Sequence, residues 1–260
     1  MTSTVAWIGL GEMGVPMAAN LAAAGYRVLG FDLDPARSAP GVEAAASAQE
    51  AAAAADVAVT MVRTGAQTEE LLATLPGPLD VLIMSTLEPE LAAELGHRHA
   101  GRLTIVDAPV SGGVRGAEAA TLAIYAAGPP DAVARVRPLL DVLGGRIFLL
   151  GDKPGLGQAA KVANQVMMGA AIAGTMEGLE LARAYGLDDA AVCEAVLAGT
   201  GASWVLDHWP WMRSLWEEYE PGNALDILLK DLRATAAAGE RQGVRLPATE
   251  LALERLLSRI

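Results

Sequence analysis

Short apolar or β-branched runs alternate with alanine-rich stretches from the start of the chain to Leu150. The central runs show little polar alternation, which is typical of strands that are buried on both faces. Because strands alternate with helical stretches, we expect an α/β fold with a doubly wound parallel sheet in this part of the chain. The predicted strands are Val5–Leu10, Arg27–Asp32, Val57–Val62, Val81–Met84, Leu103–Val106, Leu122–Ala126 and Ile147–Leu150.

The pattern changes after Gly151. Residues 152–157 are rich in glycine and proline, and the residues beyond them show no convincing strand pattern. We expect one long helix over residues 158–184, followed by helices at about 188–198, 203–217, 223–238 and 247–259. The sequence therefore predicts two domains, residues 1–152 and residues 153–260, the second all-helical and joined to the first by the long helix.

Composition and charge exclude several classes of function. Of the 260 residues, 52% are hydrophobic and 19% are charged, which is enough apolar material for a packed core. The net charge of −12, without basic blocks, disfavours nucleic acids and anionic membrane surfaces as partners. No apolar stretch reaches the roughly 20 residues that span a bilayer, and the N-terminus lacks the basic start of a signal peptide, so we expect a cytoplasmic protein.

The sequence contains few residues that could form a disulfide or bind a metal ion. Cys193 is the single cysteine, so the chain forms no internal disulfide and no cysteine-based zinc site. The histidines are His97, His99 and His208. Because His97 and His99 lie two apart in a polar, glycine-flanked stretch, we interpret them as part of a solvated loop and expect no metal site.

A glycine-rich turn follows the first predicted strand and precedes a helix predicted over residues 13–24. In a G-x-G-x-x-G turn the first glycine permits a tight bend, and the second lets the backbone approach a pyrophosphate. The third lets the helix pack closely on the strand, so that its N-terminus faces the phosphates. The residues of this turn are Gly9, Leu10, Gly11, Glu12, Met13 and Gly14.

The next predicted strand ends in an acid that bears on the choice of dinucleotide. Asp32 lies 18 residues after Gly14, at a spacing where a carboxylate accepts a hydrogen bond from the ribose 2′-hydroxyl. A carboxylate there repels a 2′-phosphate, so the sequence favours NAD over NADP, with NADP still possible. Arg37 would soften this preference if it reached the site, although a solvated position on a helix is the interpretation we favour for it.

Two further segments carry polar groups beside small residues. Ser111, Gly112 and Gly113 offer a hydroxyl and approachable backbone N–H groups, which suit a carboxylate, although a flexible turn also explains them. Lys161 lies among small and apolar neighbours. Desolvation lowers the pKa of a lysine toward the range of acid–base catalysis, whereas a lysine extending into solvent is equally compatible with this sequence.

Asn164 and Gln165 follow Lys161 at spacings of three and four residues, so the three side chains share roughly one helix face. At this point the motifs together resemble the β-hydroxyacid dehydrogenases, the family that includes the 3-hydroxyisobutyrate and tartronate semialdehyde enzymes. The resemblance extends from residue 5 to about residue 235. It is carried by Gly9–Leu21 as the cofactor signature, Asp107–Gly113 as the substrate signature, Gly155–Gln165 as the catalytic-lysine signature and Lys230–Leu232 as a later cofactor-side motif.

The resemblance implies a Rossmann-type dinucleotide-binding domain, followed by a helical domain for substrate contacts and oligomerisation. Lys161 is implied as the general acid/base, and the Ser-Gly-Gly turn as the site of the substrate carboxylate. The implied substrate-binding residues are Ser111, Gly112, Gly113, Asn164 and Gln165. Beyond the glycine-rich turn and Asp32, the implied cofactor contacts are Thr86 and Lys230 toward the nicotinamide, and Met61, Val62 and Arg63 toward the adenosine or ribose.

One position departs from the family pattern. The asparagine that usually stands four residues after the lysine is replaced by Gln165, which extends the amide by one methylene. A longer amide would displace its partner by about 1 Å, and a misplacement of that size costs about 10²-fold in rate. The exchange indicates a different substrate or a weakened activity.

We therefore expect an NAD(P)-dependent oxidoreductase that transfers a hydride between the cofactor and a small 3-hydroxy acid related to 3-hydroxyisobutyrate or tartronate semialdehyde. Two alternatives remain: a reductase of another carbonyl or imine, and a dinucleotide-binding module without turnover. The retained Lys161 argues against imine chemistry, because imine reductases usually replace that lysine. Gly169, Gly174 and Gly178 on the long helix would let a second helix approach, which favours a homodimer or homotetramer.

Overall fold

The computed structural model describes residues 3–260, which form two compact units. The first unit ends at Lys161, and the second runs from Val162 to Ile260. The helix Leu156–Ala184 begins in the first unit and ends in the second. Each unit has its own apolar core.

Six parallel strands form the main sheet of the first unit, in the order β3-β2-β1-β4-β5-β6. β1 pairs with β2 on one side and with β4 on the other, so the strand order reverses at β1. Ligands of open α/β sheets bind outside the carboxyl ends of the strands at such a reversal. The strands are β1 (Thr4–Ile8), β2 (Arg27–Phe31), β3 (Glu43–Ala44), β4 (Val57–Thr60), β5 (Leu79–Ile83) and β6 (Leu103–Asp107).

Apolar cores cover both faces of this sheet. Along β1, Val5 and Trp7 belong to one cluster, whereas Ala6 and Ile8 belong to the other. Successive side chains of a strand point to opposite faces, so a strand buried on both sides has a continuous apolar run, and the expected doubly wound sheet is confirmed. The helices of this unit before residue 156 are α1 (Gly14–Ala23), α2 (Ala48–Ala53), α3 (Gly65–Thr74), α4 (Pro89–Arg98), α5 (Gly113–Glu118) and α6 (Pro130–Leu143).

The last two predicted strands of this half do not join the main sheet. β7 (Val110–Ser111), β8 (Leu122–Ala126) and β9 (Gly144–Leu149) form a second, three-stranded sheet, with β7 antiparallel and β9 parallel to β8. An isolated antiparallel β-bridge between Asp107 and Ala127 connects this second sheet with β6. The strand predicted over 147–150 is confirmed as part of β9, although it belongs to this smaller sheet and Leu149 and Leu150 are exposed.

The histidine pair also differs from the prediction. His97 lies in the last turn of α4, and the buried His99 follows it, with its Nδ1 2.8 Å from Nη2 of Arg102. His97 is solvent-exposed, as expected, but it lies on a helix rather than in a loop, and burial of His99 contradicts the prediction because the C-terminal end of α4 packs on the sheet. Within residues 3–260, no three histidine, cysteine or acidic side chains are grouped to hold a metal ion.

Residues 162–260 form helices and turns. Pro210 lies in the first turn of α10, and His208 has non-helical dihedral angles, so the single helix expected over 203–217 is divided in two. The helix expected over 223–238 continues to Gln242 and ends where Gly243 takes a left-handed conformation. The helices are α7 (Leu156–Ala184), α8 (Asp189–Leu197), α9 (Trp204–Asp207), α10 (Trp209–Glu217), α11 (Ala224–Gln242) and α12 (Pro247–Leu257).

Aromatic side chains contribute to the core of the second unit. Trp209 and Trp216 are buried with ring centroids 5.5 Å apart, whereas Trp204 is 47% exposed and stacks on His208. A Cβ at Gly169 would lie 3.2 Å from Leu232 Cδ2, so this glycine accommodates α11 of the same chain. None of the helices described combines the length and hydropathy needed to cross a membrane.

Candidate functional site

The glycine-rich turn is fixed by close contacts with its own surroundings. Gly9 has φ +103°, and a Cβ there would lie 2.4 Å from the carbonyl oxygen of Met61. A Cβ at Gly14 would lie 2.0 Å from the carbonyl oxygen of Gly9, which also accepts a 3.0 Å hydrogen bond from Trp7 Nε1. Glycine is therefore required at both positions by the fold itself.

The middle glycine of the turn has more space. A Cβ at Gly11 would meet only Nη1 of Arg37, at 3.3 Å. No side chain caps the N-terminus of α1, and its first turn carries no acid. An uncapped helix N-terminus beside approachable backbone is a binding site for phosphate groups. Gly11 and the start of α1 therefore have the features that a pyrophosphate needs.

Asp32 and Arg37 both contact Leu10 within the turn. Asp32 accepts hydrogen bonds from the backbone N–H of Leu10 at 2.7 Å and from that of Asp34 at 2.9 Å. Arg37 Nη1 donates to the carbonyl oxygen of Leu10 at 3.2 Å. Arg37 is exposed, as expected, but it does not lie on a helix: it stands in the segment between β2 and β3 and reaches back to the turn.

The segments after β4 and β5 lie at the same carboxyl edge of the sheet as the glycine-rich turn. Met61, Val62 and Arg63 follow β4, and the backbone N–H of Met61 donates to the carbonyl oxygen of Ile8 at 2.8 Å. Ser85 and Thr86 follow β5. This is the edge where the strand order reverses.

A dinucleotide fits this edge on three observations: the uncapped α1, the open approach to Gly11 and the hydroxyl of Ser85. That hydroxyl is buried and makes no hydrogen bond to any residue in the described part of the chain. Because buried hydroxyls are normally bonded, this hydroxyl fits a polar ligand at this edge. The asparagine of the cofactor signature adds rigidity, because Asn20 Nδ2 donates to the carbonyl oxygen of Ala117 in α5 at 2.7 Å.

The Ser-Gly-Gly segment joins β7 to α5. Ser111 ends β7, Gly112 has φ +133°, and Gly113 begins α5 with φ +62°. A Cβ at Gly112 would lie 3.2 Å from Leu122 Cδ2, whereas a Cβ at Gly113 would meet nothing within 4 Å. The backbone at Gly113 is thus open to approach, as expected for a segment that holds a small anion.

The start of α7 packs tightly on the first unit. A Cβ at Gly155 would lie 2.6 Å from the carbonyl oxygen of Pro89, and one at Gly157 would lie 2.2 Å from that of Tyr125. The fully buried Asp107, at the end of β6, accepts hydrogen bonds from the backbone N–H groups of Gly155 at 3.0 Å and Gln158 at 2.7 Å. Asp107 therefore caps α7 from a distant part of the sequence.

The environment of Asp107 acts on its ionisation in two opposite directions. Burial raises the pKa of its carboxyl from 3.8 to about 7, because desolvation penalises the charged form. The backbone N–H donors of Gln158, Gly155 and Gly157 lower the pKa, since they stabilise the carboxylate. Asp107 is therefore an acid that changes charge near neutral pH inside the packed unit.

The side chain of Gln158 connects α7 with the segment after β5. Its Oε1 accepts from the backbone N–H of Leu87 at 2.9 Å, and its Nε2 donates to the carbonyl oxygen of Ser85 at 2.9 Å. Lys161 lies three residues further along α7 and is only 6% exposed. The lysine is therefore carried by a helix turn that is fixed through both backbone and side chain.

A second polar group lies within the second unit. Asn164 Nδ2 donates to Gln165 Oε1 at 3.0 Å, and Gln165 Nε2 donates to Asp231 Oδ2 at 3.1 Å. Lys230 Nζ lies 2.9 Å from Asp231 Oδ1. Both ends of the buried Gln165 amide are thus engaged, and four of the residues singled out by sequence or structure form one chain of contacts.

Three residues of these networks received no role from the sequence: Asp107, Gln158 and Asp231. Asp107 stood in a recognised motif, and Asp231 adjoins Lys230. The signal for Gln158 is its position one helical turn before Lys161. Apart from Lys230 beside Asp231, their partners named above lie 48 to 73 residues away, so no local pattern indicates what they bind.

Comparison with protein families and known proteins agrees with this geometry. Residues 4–151 match the model of the NAD-binding domain of 6-phosphogluconate dehydrogenase. Residues 155–259 match a model described as the NAD-binding domain of NADP-dependent 3-hydroxyisobutyrate dehydrogenase. The matched ranges together cover nearly the whole chain, and both models describe NAD binding.

Two relatives and one solved structure are similar over nearly the whole chain. The chain is 37% identical to Pseudomonas aeruginosa 3-hydroxyisobutyrate dehydrogenase, over 95% of this chain and 89% of that protein. It is 36% identical to the NAD-dependent L-serine dehydrogenase of the same organism, over 96% and 89%. The structure of Mycobacterium tuberculosis 3-hydroxyisobutyrate dehydrogenase with L-serine superposes with a TM-score of 0.86 and 32% identity, covering 99% of this chain and 94% of that one. The chain therefore belongs to the β-hydroxyacid dehydrogenase family, as an NAD(P)-dependent dehydrogenase of the 3-hydroxyacid type.

Proposed function

We propose that the substrate is a short 3-hydroxy acid and that Lys161 is the general acid/base of the reaction. The observation that carries this proposal is the burial of Lys161, which is 6% exposed on a helix turn that Asp107 and Gln158 fix in place. A buried lysine is suited to proton transfer, since burial favours its neutral form. 3-Hydroxyisobutyrate and L-serine, both 3-hydroxy acids, are the first substrates to test, because they are named for similar proteins.

In the proposed reaction, NAD(P) held at the glycine-rich turn would supply the hydride chemistry at the carbon that carries the substrate hydroxyl. Ser111 and the backbone N–H groups of Gly112 and Gly113 bind the substrate carboxylate. Neutral Lys161 takes the proton from the hydroxyl as the carbonyl forms, and its ammonium form gives a proton to the oxygen in reverse. The backbone of the glycine-rich turn binds the pyrophosphate.

The cofactor preference is proposed to be NAD over NADP. The carboxylate of Asp32 engages two backbone N–H groups and retains acceptor capacity for a ribose hydroxyl. A 2′-phosphate would approach this carboxylate and be repelled. Arg37, which contacts Leu10 in the same turn, is the residue that keeps NADP usable.

The remaining assignments follow the same proposal. Residues 1–152 serve as the dinucleotide-binding domain, and residues 153–260 as the helical domain for substrate contacts and oligomerisation. Asn164 and Gln165 contribute to substrate binding. Thr86 and Lys230 contact the cofactor on the nicotinamide side, and Met61, Val62 and Arg63 on the other side. A cytoplasmic location and a homodimer or homotetramer remain predictions from the sequence.

The test combines a substrate panel with one variant. Purified protein receives NAD⁺ or NADP⁺ with short 3-hydroxy acids, and formation of reduced cofactor is followed by its absorbance. Lys161→Ala is expected to lower turnover by at least about 10²-fold, the scale of general acid–base catalysis, with little change in cofactor affinity. The matched control is Lys153→Ala, which removes an exposed lysine. Wild-type turnover in Lys161→Ala would exclude Lys161 from this role, and cofactor binding without turnover on any substrate would favour a non-catalytic module.

A further inference from the structure

We infer that Gln158 and Asp107 are positioning residues, which set Lys161 relative to the Ser85–Leu87 segment at the carboxyl edge of the sheet. The inference rests on the proposed role of Lys161 and extends it to two residues that touch neither substrate nor cofactor in that proposal. It concerns the first unit alone, because every residue involved lies before Val162.

Asp107 fixes the backbone at the start of α7. The first N–H groups of a helix have no partners within it, so groups outside the helix must accept their hydrogen bonds. Here the two carboxylate oxygens of Asp107 take the N–H groups of Gly155 and Gln158, one each. Since Asp107 ends β6, the helix start is tied to the main sheet, and its rotation about its own axis is restricted at two points.

Gly157 allows the start of α7 to pack closely on β8. A Cβ at this position would lie 2.2 Å from the carbonyl oxygen of Tyr125 and 2.9 Å from Asp107 Oδ2. The helix start therefore approaches β8 and the carboxylate as closely as backbone atoms permit. Because its backbone is close-packed here, α7 cannot slide along its axis without breaking these contacts.

The side-chain amide of Gln158 binds the segment that follows β5. Its acceptor and its donor both bond to backbone, at Leu87 and Ser85, and all of these atoms are buried. The segment they hold contains Ser85, whose hydroxyl lacks a partner in the described chain, and Thr86, proposed beside the nicotinamide. One side chain thus connects the segment on the cofactor side with the helix turn that precedes Lys161.

The consequence is geometric. Lys161 lies three residues after Gln158, so both project from neighbouring positions on the same helix face. A displacement of the first helix turn moves the root of the lysine with it. Loss of about 1 Å of alignment between a proton-transfer group and its substrate costs about 10²-fold in rate. We therefore expect loss of the Asp107 or Gln158 contacts to lower turnover more than binding of the cofactor.

The experiment replaces Gln158 by methionine, which has nearly the same length and volume but neither hydrogen bond. We expect Gln158→Met to lower kcat by about 10- to 10²-fold and to leave the dissociation constant of NAD within about twofold of the wild-type value. Gln158→Glu keeps the acceptor for Leu87 but sets a carboxylate oxygen against the carbonyl oxygen of Ser85, so it is expected to lower kcat as well. The matched control is Leu72→Ala, a buried site on α3, which loses stability without altering either hydrogen bond of Gln158 and is expected to keep kcat.

A second measurement reads the position of Lys161 without cofactor or activity. The chain has three lysines, Lys153, Lys161 and Lys230, so an amine-reactive label followed by mass spectrometry resolves each one. We expect label at Lys161, relative to the exposed Lys153, to rise several-fold in Gln158→Met and not in Leu72→Ala. If Gln158→Met fails to fold, Asp107→Asn is measured instead, since it keeps the shape and replaces one acceptor with a donor.

A fall in kcat together with increased labelling of Lys161 supports the inference. Unchanged kcat, or a fall in kcat with unchanged labelling, overturns it, because the helix turn then holds its place without Gln158. If the wild-type protein turns over no 3-hydroxy acid, the proposed function fails, and the labelling ratio alone decides whether Gln158 positions Lys161.

Discussion

The three glycines of the G-x-G-x-x-G turn are expected to fail in different ways when each is replaced by alanine. A methyl group at Gly14 would lie 2.0 Å from the carbonyl oxygen of Gly9. The neighbour is backbone, so α1 must shift, and its inner face is packed through Met17 and Leu21. A methyl group at Gly11 would meet only the guanidinium of Arg37 at 3.3 Å, the far end of a flexible side chain that has to move only slightly.

These distances translate into different free energies of unfolding. Overpacking against a rigid neighbour costs typically about 1–3 kcal/mol and occasionally more. Displacing the carbonyl oxygen of Gly9 also breaks its hydrogen bond from Trp7, worth about 1 kcal/mol. We expect Gly14→Ala to lose about 3 kcal/mol of stability, and Gly11→Ala to stay within about 0.5 kcal/mol of the wild type, as for a surface substitution.

Gly11→Ala is expected to affect binding of the dinucleotide strongly, although it hardly changes stability. Its added methyl group occupies the space through which a pyrophosphate approaches the backbone. We expect Gly11→Ala to weaken NAD binding by at least about tenfold, or about 1.4 kcal/mol, in a titration calorimeter. The stability of the first unit is measured by amide hydrogen exchange of peptides from β1 and α1, because the two units of the chain can unfold separately.

Gly174→Ala serves as the matched control for this series. Gly174 lies in α7, where an added methyl group would meet nothing within 4 Å. Alanine is therefore expected to stabilise the second unit by about 0.5–1 kcal/mol and to leave NAD binding alone. The reasoning is refuted if Gly14→Ala is as stable as the wild type, or if Gly11→Ala loses as much stability as Gly14→Ala.

Two further predictions concern charge. The pKa of Asp107 is raised to about 7, above its unfolded value of 3.8, so the native state keeps this proton where the unfolded state has lost it, and stability falls as pH rises from about 4 to about 7. A pKa difference of about three units corresponds to about 4 kcal/mol of unfolding free energy. Urea titrations of the wild type and of Asp107→Asn between about pH 4 and pH 7 measure this change in stability. If the stability of the two proteins varied with pH in parallel, the prediction would be contradicted. Asp32→Ser is expected to raise the NADP-to-NAD ratio of kcat/KM by at least about tenfold, because it removes the repulsion of a 2′-phosphate. An unchanged ratio would remove Asp32 from cofactor selection, and the double variant with Arg37→Ala measures how far Arg37 supports NADP.

Local patterns were enough to predict most elements. The apolar run at Val5–Leu10 predicted β1, since a strand buried on both faces needs apolar residues at every position. The G-x-G-x-x-G sequence predicted the bend between β1 and α1, because the requirement for glycine at Gly9 and Gly14 arises within a few residues. The uninterrupted pattern after Gly157 predicted the long α7 within two residues of its observed start.

What the sequence by itself determined is therefore local: five of the six strands of the main sheet, the glycine-rich bend, the long helix and the motifs that mark the family, whereas the two-residue β3 was missed. Tertiary structure alone decided that β8 and β9 form a separate sheet, that Arg37 reaches the turn, and that Asp107 caps α7. It also decided that Gln158 bonds to a segment more than seventy residues away. Periodicity and spacing report which face of an element is buried, whereas partners so distant along the chain are chosen by how the elements pack.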